Sequence, residues 1–169
     1  MDLVTARPSL KVLLSAFLLF VGLGYVFGLV NIYNNVGFSY TGVVVHERGD
    51  ESEEVPVEFA LAKLVHNHHT HLFSLSMLFF LVGGIFSFTR IPEKAKMFFI
   101  AAPFVGMFLD FSSFWLLVLQ SALFAWGAVV FGAFMAFSFF LLIGRPLYEM
   151  WILPLWIRKW GTAIPWFLR

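Results

Sequence analysis

The sequence predicts an all-α integral membrane protein: a four-helix transmembrane bundle with an outer loop and a C-terminal interfacial amphipathic segment. Three observations carry that expectation. Hydrophobic residues make up 60% of the 169 positions, charged residues 12%, and the mean hydropathy is +0.87. A soluble domain carries about 25% charged residues, so this chain lacks the side chains for a water-facing surface. The apolar residues fall in runs long enough to cross a bilayer, which takes roughly 20 helical residues. The basic residues gather on one side of those runs.

The first span is expected over about Val12 to Ile32. It is too long and too poor in small-residue cleavage signals for a removable signal peptide, and reads as a retained span. The second is expected over about Leu64 to Phe88. Pro56 suits a helix start, so this helix should begin outside the bilayer near Pro56 and enter it without a break. Between Met97 and Gly144 lie 48 residues whose only charge is Asp110. That length makes two spans, about 97–119 and 121–144, with the turn at Gln120-Ser121 and Phe111-Ser112-Ser113 as the alternative. The chain is then one domain, 1–169, with an outer loop 33–63 and an inner tail 145–169.

In the outer loop, Phe38 to Val45 is β-prone and suggests a short extended piece, while Arg48-Gly49-Asp50 suggests a turn. As an integrin-type tripeptide Arg-Gly-Asp is too common to carry a function. The tail combines Trp151, Trp156, Trp160 and Trp166 with Arg158 and Lys159, the composition of an interfacial anchor. Pro154 and Pro165 are expected to break any long helix there. Gly24-x-x-x-Gly28 in the first span, Gly83-Gly84 in the second, and Gly127 and Gly132 in the fourth permit close helix contact.

Orientation follows from charge. With the N-terminus inside, Arg7, Lys11, Arg90, Lys94, Lys96, Arg145, Arg158, Lys159 and Arg169 lie on the inner side, and only Arg48 and Lys63 lie outside. Nine of the eleven basic residues on one side predicts cytoplasmic termini, in a bacterial inner membrane. The outer loop is acidic, with Glu47, Asp50, Glu51, Glu53, Glu54 and Glu58. A net charge of +1 gives no reason to expect nucleic acid as a partner.

Four of the five histidines, His66, His68, His69 and His71, sit at the outer mouth of the second span. At roughly 100° per residue they form two i,i+3 pairs: taking His66 as zero, His69 falls at roughly 300°, His68 at roughly 200° and His71 at roughly 140°. One regular helix cannot turn all four toward one site. One pair should face the bundle and the other lipid, water or another subunit. Asp110 lies roughly 21 Å along the third span from Lys96, at about 1.5 Å per residue, which is close to the expected depth of His71. A lone intramembrane carboxylate usually pairs or faces a polar cavity. The expectation is that Asp110 reaches the His68–His71 face, with Ser113 one turn away, either as a ligand or as the acceptor that orients a ligating imidazole.

The ligand chemistry stays open at this point. A bis-histidine haem b needs imidazoles on opposite faces of the porphyrin, and all membrane histidines here share one helix. The second ligand would be His46, a methionine such as Met77 or Met107, a symmetry mate or a partner subunit, unless the haem is five-coordinate. The plan is similar to that of four-helix membrane b-type cytochromes in architecture, without their cross-helix histidine pair. A Cu, Zn or Fe ion could use an imidazole pair with Asp110 or a loop carboxylate. The third alternative is wet interfacial residues with no cofactor. With no cysteine, disulfides, thiolate sites, iron–sulfur clusters and c-type haem are excluded. No phosphate loop, nucleotide fingerprint or serine-nucleophile elbow occurs.

The functional expectation is a small integral subunit of a respiratory or other redox complex. In it His68, His71, Asp110 and His46 would contribute to a haem b, metal or quinone site, with other subunits, a quinone or a periplasmic cytochrome as partners. The alternatives are a periplasmic-side metal-binding or transfer protein using His66, His68, His69, His71 and Asp110, and a cofactor-free structural subunit.

Overall fold

The structure, a computed structural model, describes residues 2–49 and 55–160. It is an all-α membrane bundle with four helices long and apolar enough to span a bilayer. α1 is Pro8–Asn35, α2 Tyr40–Arg48, α3 Val57–Phe86 and α4 Glu93–Leu119. A short 3-10 turn at Ala122–Phe124 leads into α5, Ala125–Leu147. A π-helical stretch, Tyr148–Ile152, then continues into α6, Leu153–Trp160.

Local chemistry explains most of these limits. Pro8 opens α1, where its missing N–H costs nothing. Pro56 and Pro92 likewise stand just before α3 and α4. α3 therefore starts where Pro56 suggested and runs without a break past the histidines. The α4–α5 turn falls at Gln120-Ser121, and the Ser121 hydroxyl accepts the Leu123 N–H. Hydroxyls inside the spans are satisfied by their own helix: Ser113 donates to the Leu109 carbonyl and Ser138 to that of Phe134.

Two sequence expectations are overturned. Residues 40–45 are helix, not an extended piece. The Ser39 hydroxyl accepts the Gly42 N–H and caps α2, and Val43 is buried with Leu117, Ala125 and Ala128. Burial of one helical face outweighs the β-propensity of Val43-Val44-Val45. α2 ends at Gly49, whose φ of 84° with an extended ψ is a glycine conformation. Of the expected Arg48-Gly49-Asp50 turn, Asp50 lies outside the described residues, as do Glu51, Glu53 and Glu54.

The second correction concerns the tail. Pro154 does not break the helix; it sits in the first turn of α6, which carries straight on from the π-helical stretch. A proline at 154 cannot bond the Met150 carbonyl four residues back, and Lys11 Nζ donates to that carbonyl at 3.0 Å instead. Glu149 in the same stretch has no exposed surface. Its carboxylate accepts the Arg90 N–H at 2.9 and 3.0 Å and Arg145 Nε at 2.8 Å. Trp151 donates to the Ser15 hydroxyl and Arg90 pairs with Asp2. The tail's first half is thus bolted to α1 and to the α3–α4 turn. Pro165, Trp166 and Arg169 lie outside the described residues.

The helices are not equal partners. α4 and α5 approach most closely. A Cβ on Gly106 would sit 3.0 Å from that of Met135, and one on Gly127 would collide with the Ser113 hydroxyl. α3 packs across both, through Phe79, Val82 and Phe86 against Met107, Phe139 and Leu142. α1 joins this core between Leu14 and Tyr25. Tyr25 stacks on Phe139 at 4.3 Å, while Gly24 and Gly28 have no neighbour within 4 Å. The helix contact that Gly24-x-x-x-Gly28 permits is not made among the described residues. Phe20, Phe73, Phe80 and Phe108 point outward, more than 70% exposed, as side chains do that face lipid.

These contacts give opposite results for two glycines. Gly106→Ala should destabilise the protein by ~1–3 kcal/mol through overpacking against Met135. Gly24→Ala should leave stability equal or slightly higher. Denaturant unfolding of both variants in one detergent reads the contrast, and equal stability of the two would contradict the packing described.

Candidate functional site

His68 is the one histidine of the α3 run set into the bundle. It is half-buried, while His66, His69 and His71 are exposed. Its ring lies flat on Phe111 of α4, 4.2 Å between centroids and 5° between planes, with Phe114 edge-on at 6.0 Å. Trp115 Nε1 donates to His68 Nδ1 at 2.9 Å. An indole nitrogen is a donor only, so Nδ1 must be the bare acceptor and the proton of the uncharged ring sits on Nε2. The bond leaves His68 with an N–H at Nε2 and no free lone pair. Such a ring donates a hydrogen bond; it ligates a metal only after Trp115 lets go.

The histidine pairs therefore split differently from the sequence expectation. His66 and His69 share the outward face, as expected, and His69 packs edge-on against Phe73 at 5.3 Å. His71 was expected to share the inner face with His68. It stays within electrostatic reach of His68, but is exposed.

Asp110 is also placed differently. It is 8% exposed and makes no hydrogen bond among the described residues, to a histidine or otherwise. The reason is rotational: Asp110 lies on the α5-facing side of α4 with Gly106 and Ser113, its Oδ1 3.3 Å from where a Cβ on Gly132 would be. Phe111 and Trp115, which meet His68, are turned from it by roughly 100° and 140° around the helix. Among the described residues no three His, Asp or Glu side chains gather in a way that would hold a metal ion.

A second polar cluster joins α2 to α3 at the loop end. His46 Nδ1 lies 2.8 Å from Glu47 Oε1, and Lys63 Nζ lies 3.4 Å from the same oxygen. Lys63 Nζ also donates to the His46 carbonyl at 2.9 Å. His46 is thus spoken for by Glu47 and Lys63 rather than by the α3 histidines. Next to it Arg48 Nε donates to the Leu117 carbonyl at 2.7 Å, covering the open C-terminal end of α4. Glu47 and Arg48 border a cavity of about 160 Å³ with Val55, Val57, Ala60 and Val118.

Sequence reasoning missed both Trp115 and Glu47. Trp115 left a signal: a tryptophan near a span end needs an acceptor for its N–H, and the histidines are the side-chain acceptors at that height. Glu47 looked like one more acid of a hydrophilic loop.

Residues 37–155 match the model of a family described as a transmembrane helical domain, Aq_1264_TM. The chain belongs to that family. The matched stretch takes in α2 to α5 and the start of α6, hence both polar clusters. No curated protein and no solved structure matches the chain.

The Glu47 cluster predicts a pH dependence for the docking of α2. Burial alone would raise the Glu47 carboxyl, but the hydrogen bond and charge of His46 and Lys63 outweigh it and hold it below the ordinary glutamate value. A depressed carboxylate stabilises above the unfolded value, about 4.5, and its contribution is lost as pH falls through the folded one. The protection factors of α2 amides, corrected for intrinsic exchange at each pH, should fall in acid below that point. Glu47→Gln should show the lower protection already at neutral pH. A variant that matched the wild type at both pH values would contradict the role of the cluster.

Proposed function

We propose that the protein is a small integral-membrane subunit of a respiratory or other redox complex, and that its histidine face holds the head of a quinone. The observation behind this reading is the Trp115–His68 hydrogen bond, which leaves a Nε2–H on a ring backed by Phe111 and Phe114. Quinone carbonyls accept hydrogen bonds and do not donate them. A quinone head is flat and apolar on its faces, which suits the aromatic surroundings of His68. The mouth of α3, between apolar span and polar loop, is where such a head would lie while its tail stays in the bilayer. The small chain, poor in charged residues, suits a subunit of a larger assembly. In this reading the basic end faces the cytoplasm of a bacterial inner membrane and the histidines face the periplasm.

A second reading rests on His66 and His69. Both are exposed, one turn apart on the same helix face, and thus free to chelate a Cu, Zn or Fe ion with ligands from a partner. A haem b ligand would come from the exposed histidines for the same reason, since His68 Nδ1 is committed.

Titration of the purified protein in lipid nanodiscs with a short-chain quinone, read by tryptophan fluorescence, tests the first reading. His68→Phe keeps the ring against Phe111 and removes the donor. Its affinity should fall about tenfold, the worth of one hydrogen bond of ~1.4 kcal/mol. His69→Phe should bind within about twofold of the wild type, since it leaves the His68 donor in place. Equal binding by wild type and His68→Phe would overturn the quinone reading. Stoichiometric metal that is lost with His66→Ala or His69→Ala would favour the second reading, and neither ligand binding would leave a structural subunit.

A further inference from the structure

Asp110 is the ionisable side chain that the histidine face does not use. It sits inside the α4–α5 seam, 8% exposed, with no hydrogen-bond partner among the described residues. An unpaired ionised carboxylate at that depth is costly, and intramembrane acids are kept where they do something. The groups around it narrow what that is. From α5 it meets Gly132, which is not titratable. From α1, Tyr25 lies within electrostatic reach of it without a hydrogen bond between them among the described residues. On α3 His68 is at neighbouring height, across Phe111, with its Nδ1 held by Trp115, and His71 is one turn further along; neither bonds Asp110. On α4 itself, Ser113 gives its proton to the Leu109 carbonyl. No second carboxylate or imidazole joins Asp110 in a metal-holding group among the described residues. Mg²⁺ or Ca²⁺ wants six or more oxygens, whereas one carboxylate suffices to hold a proton.

Tyr25 is the last α1 residue packed in the main core. Beyond it Val26, Phe27, Val30 and Tyr33 are exposed and Gly28 has no neighbour within 4 Å. Past Tyr25, α1 adds no further side chain to the core that α3, α4 and α5 share. On α5, Gly132 leaves the carboxyl room, because a Cβ would press on Oδ1.

We propose that Asp110 is a proton-exchange site within the bundle, reached from the side where α1 stops packing on the main core beyond Tyr25. The site does not depend on the quinone reading. Its carboxyl takes up a proton from water that reaches it on that side and gives it back by the same path.

Dicyclohexylcarbodiimide, an apolar reagent that adds to protonated carboxyls in apolar surroundings, tests this on the full chain in liposomes. Mass spectrometry should place one adduct on Asp110, absent in Asp110→Asn. Its rate should fall several-fold from mildly acidic to alkaline buffer, as the exchangeable proton is lost. Gly132→Ala, which crowds Oδ1, should slow labelling at every pH. Asp110→Glu, which keeps the acid, should still be labelled, so a folding defect of the asparagine variant does not decide the outcome. Absence of any adduct on Asp110, or a rate that ignores buffer pH, would overturn the proposal. Quinone titration of the same samples keeps the two readings apart, since His68 and Phe111 are untouched by labelling on the α5 side.

Discussion

The close approach of α4 and α5 is the constraint on which the rest of the molecule depends. Helices in lipid gain nothing by hiding apolar surface from water, so they associate where small residues let backbones come near. Here Gly106 lies against Met135, Ser113 over Gly127 and Asp110 over Gly132. This seam fixes the rotation of α4 about its own axis. With Gly106, Asp110 and Ser113 committed to α5, Phe111 and Trp115 are left toward α3, and His68 finds a flat ring and an indole N–H there. The same rotation draws Asp110 away from the histidines. At the loop end, Leu117, Ala125 and Ala128 close the seam and receive Val43 of α2.

Backbone hydrogen bonding is the second theme, because a carbonyl without a partner is expensive in a membrane. The protein repeatedly sends a basic side chain to a helix carbonyl left without an N–H partner. Lys11 takes the Met150 carbonyl that Pro154 cannot serve, and Arg48 takes the last carbonyls of α4. The buried Glu149 does the complementary job for the Arg90 N–H in the α3–α4 turn. Both ends of the bundle are therefore tied by side-chain-to-backbone bonds, while its middle is held by shape.

The spans and the turn at Gln120 were legible because apolar length in a bilayer has few alternatives. The division of the histidines was partly legible, since 100° per residue forbids one shared site. The partners were not. Whether His68 or His71 turns inward, and whether Asp110 meets a histidine or a glycine, depends on how two helices are rotated against each other. That rotation is set by Gly106, Gly127 and Gly132, whose sequence signal is weak. α2 was hidden for a different reason: three consecutive valines read as strand, and only docking on Leu117 and Ala125 makes them helix. Pro154 read as a breaker because the lysine that compensates it is 143 positions away in the chain.

The functional reading comes down to which nitrogen of His68 carries the proton. Trp115 can only donate, and that single fact turns a residue that looked like a ligand into a hydrogen-bond donor set among aromatic rings. Nitrogen-15 NMR of histidine-labelled protein in bilayers observes this directly. The account predicts a His68 ring with its proton on Nε2 and a hydrogen-bonded bare Nδ1 whose shift moves in Trp115→Phe. A proton on Nδ1 with Nε2 bare, the form that binds a metal, would contradict it.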